Sequence, residues 1–499
     1  MAPALRIPEP IAHLGASAYV QRRPTETAVW QMVQQHWLDF RAETARSHGG
    51  RELPAFVEIA ATKFLGCGLH SSGFARVRCK DCPDDLLVPF SCKQRGICSS
   101  CDGRRMAELS CHLVDEVIPY VGTRQWVMTY PYWLRFRLAF DTQLMSGVLG
   151  VWVKTVENWY RKQARREHGI ADGKCASVQA IQRFGDALVL NPHVHSIFAE
   201  GVWHDPDGSD TPVFVPLRGP SDAEVQELAM DVRRRTLRWL VRNGVVHPDE
   251  ELDGDQMALV DADPVRAWCT QAAILDRVAI GQQAGQLVAR LRDEPVVSRK
   301  HGRRCAMVDG FNLHANVTIG PAARDHLERL CRYILRPALC SARLERLPDG
   351  RILATLKRQW SDGTWAKVFE PLDFLAKVIA LIPKPSSNLL RYHGQFAPQG
   401  RWRAQIVVCP PRRKPTPGGK LCEPEKRRRM TWSDLLRRCF AIDVLKCPRC
   451  GGRRELISLI QDSKTITHIL DHVGLSSSPP RFQAARSPPE DEWAESAWD

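Results

Sequence analysis

At 499 residues the chain is too long for a single ordinary core, and its length predicts about three or four domains. With 70 Lys and Arg against 56 Asp and Glu, the formal net charge of +14 points to a polyanionic partner, most simply nucleic acid. No uninterrupted apolar run of about 18 residues occurs and the opening MAPALRIPEPIAHLG lacks the apolar stretch of a signal peptide, so neither a membrane helix nor a secreted chain is expected.

Residues 1–66 form a helical region. Val29, Trp30, Val33, Trp37 and Phe40 recur at helical spacing, and a second helix opens at Pro54 with Phe56, Val57, Ile59, Ala60 and Phe64 available for burial. The chain has seventeen cysteines, several in Cys-x-x-Cys pairs, which fits metal binding in a reducing cytosol better than disulfides. In residues 67–118, Cys79-Lys-Asp-Cys82 and Cys98-Ser-Ser-Cys101 stand fifteen residues apart, the spacing of a four-cysteine zinc site. Cys92 and Cys67 are spares that could replace one ligand. Lys80, Lys93, Arg95, Arg104 and Arg105 surround the site; they form either a solvated basic face or a grip on DNA phosphates.

A helix from Met106 leads to a strand over Gln125–Tyr130, and a helix over Gly147–Arg166 follows, ending in Arg161, Lys162, Arg165 and Arg166. A strand over Cys175–Phe184, turned by Gly185-Asp186, returns into Asn191-Pro192-His193-Val194-His195-Ser196-Ile197-Phe198. Strand side chains alternate, so His193 and His195 share one face while Val194 enters the core. Two imidazoles side by side make half of a metal site. Two imidazoles alone hold a metal ion poorly, so a third ligand is needed. Gln182, on the strand that turns back beside the histidines, offers a carboxamide oxygen. His314 is its rival and would give a three-histidine site favouring Mn²⁺.

Residues 203–300 read as a helical insertion, with a capping box at Ser221-Asp222-Ala223-Glu224 and another helix opened by Asp263-Pro264. The core, residues 119–202 and 301–400, resumes with a strand over Phe311–Ile319 and a helix from near Pro321. That helix carries Tyr333 beside an apolar stripe of Leu327, Leu330, Cys331 and Ile334, on a face shared with His326, Arg329 and Arg336. A tyrosine among cations is suited to meeting a phosphate. Tyr392 is the other tyrosine after the histidine strand. Residues 401–430 form a basic linker, 431–475 a small C-terminal module, and 476–499 a disordered tail. Within the module, Cys447-Pro-Arg-Cys450 is half a zinc site that Cys439 and Cys422 could complete. The order of elements fits an α+β fold with a split βαββαβ sheet of the ferredoxin-like kind.

Phe74-Ala75-Arg76, Phe90-Ser91-Cys92-Lys93, Cys98-Ser-Ser-Cys101 and Arg104-Arg105-Met106 come first in the chain. Gln182-Arg183-Phe184-Gly185, Asn191-Pro192-His193-Val194-His195, Arg332-Tyr333-Ile334-Leu335-Arg336-Pro337 and Arg391-Tyr392-His393-Gly394 follow in that order. This set, over about residues 50–475, resembles the rolling-circle transposases of the HUH superfamily, in the bacterial branch that includes the insertion-sequence-common-region elements. The resemblance implies a cytoplasmic enzyme, nucleoid-associated when bound, that cleaves and transfers single-stranded DNA at element termini. It implies Mg²⁺ or Mn²⁺ on His193 and His195, Tyr333 as nucleophile, and a structural Zn²⁺ in the N-terminal domain. Several relatives carry two tyrosines four residues apart. Here the earlier position is Arg329, so two transfers would reuse Tyr333 or require a second subunit, as in a homodimer.

Overall fold

The computed structural model describes residues 21–245, 260, 262–295, 302–407, 430–440 and 442–485. Most of the basic linker, including Cys422, lies outside them, as does the tail beyond residue 485. Helix α1 (Ala28–Ser47) starts at Thr27, whose side chain accepts from the Trp30 N–H, and α2 (Ala55–Leu65) starts after Pro54. Strands β1 (Phe74–Cys79) and β2 (Asp85–Pro89) form a hairpin, followed by α3 (Ser99–His112) and a π-helical turn over Leu113–Val117.

Next come β3 (Thr123–Thr129), α4 (Tyr132–Phe140), α5 (Thr142–His168), β4 (Ala176–Phe184) and β5 (Leu190–Ala199). A small hairpin, β6 (Gly201–His204) and β7 (Val213–Pro216), precedes α6 (Asp222–Arg242) and α7 (Pro264–Leu275). After β8 (Ala289–Arg292), β9 (Cys305–Val308) and β10 (Phe311–Ile319) comes α8 (Arg324–Ile334). Strands β11 (Leu344–Arg346), β12 (Ile352–Thr355) and β13 (Thr364–Phe369), then α9 (Pro371–Leu381) and β14 (Leu390–Gly394), complete the large part of the molecule. The last elements are α10 (Trp432–Phe440), β15 (Arg454–Ile460) and α11 (Ser463–His472).

Six strands make the central antiparallel sheet, in the order β14-β4-β5-β3-β10-β9. Period-two alternation gives it two faces. Trp126, Met128, Val194, Phe198 and Leu313 enter a core with α5 and α6, as expected for Val194. Trp152 of α5 donates its indole N–H to Ser196 at 2.9 Å, fixing the helix over β5. On the opposite face Ala176, Val178, Ala180, Ile197 and Ala199 meet Leu327, Leu330, Cys331 and Ile334 of α8. Those four residues recur at i, i+3, i+4 and i+7, one stripe of a helix. The two leucines and Ile334 each contribute about 1.5–3 kcal/mol when buried, enough together to hold α8 against the sheet. Arg324, at the start of α8, donates to the carbonyls of Val114, Ile118 and Pro119 and so anchors that end.

Two segments are tied closely to the rest of the chain. In residues 203–300, α6 packs on α5 and over β9 and β10, while β8 joins a second sheet in the order β11-β12-β13-β8. The C-terminal module does not stand apart. β15 pairs with β1, giving a third sheet β15-β1-β2, and Leu435 of α10 packs on Ala107 and Cys111 of α3. The start of the tail is also engaged, since Phe482 stacks on Trp37 at 6.1 Å and the Gln483 N–H donates to the Gln34 carbonyl. Among the described residues no helix is long and apolar enough to cross a membrane.

Candidate metal and tyrosine site

β5 lies inside the central sheet, flanked by β4 and β3, so its histidines are screened from both sides. His193 and His195 are 8% and 4% exposed, and their Nε2 atoms are 3.1 Å apart. His193 Nδ1 lies 2.7 Å from the Asn191 carbonyl, an arrangement that keeps the proton on Nδ1 and the lone pair on Nε2. The side-chain amide of Gln125, from β3, meets His195 Nδ1 at 2.8 Å. The contact is made by the amide nitrogen, which donates to Nδ1, and the ring is held in place from β3. Burial pushes His193 down to about 4, helped by the charges of Arg336 and Arg135. Burial, then His193, Arg336 and His314, holds His195 well below its ordinary value. Both rings are therefore neutral at pH 7, the form that binds metal.

Gln182 pairs across the strands with His193, so the two side chains share a face. Its amide nitrogen donates to the carbonyls of Tyr333 (3.3 Å) and Ile334 (2.6 Å), which leaves Oε1 buried without a partner among the described residues. An orphaned buried oxygen on the residue paired with His193, on the face that also carries His195, suits a divalent cation. Octahedral bonds of 2.0–2.1 Å hold neighbouring donors ~3 Å apart, close to the observed Nε2 separation. His314 pairs with Val127, which in turn pairs with His195, so it lies on the same face one strand further out. Among the described residues no third His, Cys, Asp or Glu, His314 included, gathers with the histidine pair within 4.8 Å.

Tyr333 stands beside the apolar stripe of α8, half-buried, with its ring edge-on to His195 at 5.8 Å between centroids. Pro337, just beyond the helix, cannot extend it. Two cations flank the phenol ring: the Arg336 guanidinium at 4.4 Å and the Lys357 ammonium at 4.7 Å. Arg336 also donates to the Tyr333 carbonyl at 3.1 Å. Burial lowers the Lys357 pKa, and the nearby charges of Arg336, Arg358 and Arg343 lower it further. Asp186 accepts from the Lys357 backbone N–H (2.8 Å) and pairs with Arg343 (2.8 Å), which fixes that segment. Arg329 lies one turn before Tyr333, half-buried, and His326 is exposed. Tyr392 sits on β14 opposite Val178, its pKa raised by burial.

Gln125 and Lys357 escaped the sequence reading. Strand alternation on β3 puts Gln125 on the histidine face once β3 is known to pair with β5. Nothing local marks Lys357, which the second sheet delivers.

The cysteines are distributed differently from expectation. Cys79, Cys82, Cys98 and Cys101 do not share one ion: Cys98 and Cys101 gather with Cys67 and Cys92, and Cys79 and Cys82 with Cys447 and Cys450. The cause is the hairpin. Cys79 and Cys82 lie at its tip, and β2 then runs back to Cys92 at its base, a span of ~3.3 Å per residue. In the first cluster the sulfurs of Cys67 stand 3.6 Å from Cys98 and 3.7 Å from Cys101, with Cys92 and Cys101 3.6 Å apart. Tetrahedral thiolates at a Zn–S bond of about 2.3 Å are ~3.8 Å apart, so this set fits structural zinc. Of the three arginines assigned to DNA, Arg104 is exposed. Arg95 instead donates to the Ser387 and Lys384 carbonyls, and Arg105 pairs with Asp102 at 3.1 Å.

Residues 177–403 match the family described as "putative transposase", and residues 32–130 match the transposase zinc-binding domain. The first span contains Gln182, His193, His195, His314, Tyr333 and Lys357, and the second contains Cys67, Cys92, Cys98 and Cys101. Neither the curated proteins nor the solved structures give a match to the chain.

Proposed function

We infer, since the chain is a transposase with an N-terminal zinc-binding domain, that the site around His193, His195 and Tyr333 cuts one DNA strand and holds its 5′ end covalently. The observation that carries this reading is the edge contact between the His195 and Tyr333 rings, 5.8 Å between centroids, with Gln182 tying the carbonyl end of α8 to the histidine face. A rolling-circle scheme of the HUH kind follows. The order β4-β5-β3-β10, with α5 and α6 on one face, supports the split βαββαβ reading of the core.

His193, His195 and Gln182 would hold Mg²⁺ or Mn²⁺, which when bound polarises a non-bridging phosphate oxygen and neutralises developing charge. The Tyr333 oxygen attacks phosphorus, the bond from phosphorus to the 3′ oxygen breaks, and a 5′-phosphotyrosine forms. The phenol gives up a proton and the leaving 3′ oxygen gains one, so the step balances with a free 3′-OH as product. An unperturbed phenol ionises near 10. Arg336 and Lys357, over its ring, would meet the incoming phosphate. The phosphodiester energy stays in the covalent link, and rejoining needs no nucleotide. With Arg329 four residues before Tyr333, two transfers in sequence call for reuse of Tyr333 or a partner copy.

The test is incubation with single-stranded DNA and Mn²⁺, followed by a denaturing gel. An adduct of protein and DNA is expected, and Tyr333→Phe should abolish it while leaving single-strand binding within about twofold. Persistence of the adduct in the Phe variant would transfer the role to Tyr392. Cleavage without adduct would make the protein a metallohydrolase, and a bare shift a non-catalytic zinc-ribbon DNA-binding protein.

A further inference from the structure

The second cysteine cluster joins parts of the chain that are far apart in sequence. Cys79 and Cys82 turn the tip of the β1–β2 hairpin, while Cys447 and Cys450 lie in the turn that feeds β15, the strand paired with β1. All four sulfurs lie within 4.8 Å of one another, with Cys79 and Cys450 3.5 Å apart and Cys82 and Cys447 3.6 Å apart. These separations are near the ~3.8 Å of thiolates around zinc and far from the ~2.05 Å of a disulfide.

The backbone is shaped for the same purpose. The Asp81 N–H donates to Cys79 Sγ and the Gly452 N–H to Cys450 Sγ, each at 3.4 Å. The same donor two residues on, Gln94 N–H to Cys92 Sγ, occurs at 3.4 Å in the first cluster. Amides aimed at sulfur lower the cost of four thiolates. The two turns also interlock. A Cβ at Gly452 would fall 2.0 Å from Asp81 Oδ2, and the Lys80 N–H donates to the Arg453 carbonyl at 3.2 Å. Four thiolates and Zn²⁺ leave a net charge of −2, and Lys80, Lys446, Arg449 and Arg453 flank the turns in sequence. Among the described residues a third group, Cys111, Glu328 and Cys439, offers three donors, and Arg332 and Arg438 already hold its carboxylate.

We propose that Cys79, Cys82, Cys447 and Cys450 bind a second structural zinc that makes β15 and α11 part of the zinc-binding domain. The matched zinc-binding segment ends at residue 130, so two of the four ligands lie outside it. The proposal stands apart from the nuclease reading, because its test uses no DNA.

Elemental analysis of the full chain, purified in reductant without chelator, should give two zinc per chain. The Cys447→Ser/Cys450→Ser variant should retain one, and so should Cys98→Ser/Cys101→Ser. Because serine variants can misfold, alkylation mapping of the unmodified protein supplies a second readout. Cys447 and Cys450 should resist alkylation until a chelator is added. One zinc in the unmodified chain with Cys447 and Cys450 freely alkylated would overturn the proposal, as would a Cys79–Cys450 disulfide in the protein kept in reductant.

Discussion

Gln182 faces two demands at once. Its nitrogen is committed to the last carbonyls of α8, which fixes the amide plane and leaves the oxygen buried with no donor among the described residues to meet it. A buried acceptor left unpaired costs about 1–3 kcal/mol, a cost that a bound cation would remove. Gln182→Ala should therefore raise the Mn²⁺ concentration needed for half-maximal cleavage by about tenfold or more, while His314→Ala should shift it little. The reverse pattern in a metal titration would assign the third donor to His314. At this scale the histidine pair was legible because the period of a strand is two, and Tyr333 because it sits beside a helical stripe among cations. Gln125 and Lys357 were not. Each reaches the site through a pairing or a sheet packing that no local spacing records, and the same is true of the partners of Cys79 and Cys82.

Helix α6 shows how far a single element can be read. Ser221-Asp-Ala-Glu224 predicted the capping box, and it is present: the Glu224 N–H donates to Ser221 Oγ at 3.2 Å and the Ser221 N–H to Glu224 Oε2 at 2.8 Å. Arg218 adds two bonds to the same carboxylate, at 2.7 and 2.8 Å. The Arg218 guanidinium, with the Ser221 N–H, holds Glu224 down to about 2, against an ordinary 4.5. The folded state thus binds this proton less readily than the unfolded chain. The stabilisation is full above about pH 4.5 and is lost as pH falls through about 2. Solvent screening limits it to about 1 kcal/mol. Glu224→Gln should speed hydrogen exchange in the first turn of α6 by up to about fivefold at pH 7. The difference from the unmodified chain should shrink steadily below pH 4.5, and a difference that persisted to pH 2 would show that the charge is not its source. What the α6 sequence could not say was which surface it covers. Val225, Leu228, Ala229, Val232 and Leu240 announce a buried stripe, but only the fold reveals that it lies on α5 and the central sheet.

For the whole molecule, the charge of +14 predicts strong salt dependence of DNA binding. Neutralising about five phosphates of a single strand gives a log–log slope near −3.5, or roughly a hundredfold weaker binding between 50 and 200 mM salt. Tyr333→Phe should keep that slope, and binding indifferent to salt would mean that the positive charge serves another purpose. The domain plan was legible only in part, because chain order does not reveal that the final strand returns to the first hairpin. Cys79 and Cys450 are 371 residues apart, yet their sulfurs touch, and β1 lacks one of its two neighbouring strands until β15 arrives. A ribosome adding about 5–20 residues per second needs on the order of half a minute to cover that distance. Throughout that interval Cys79, Cys82 and Phe74 lack the partners that Cys447, Cys450 and Ile460 supply. A message broken before codon 450 yields a protein whose tyrosine helix is already made but whose first sheet can never close, so the fold itself distinguishes finished copies from unfinished ones.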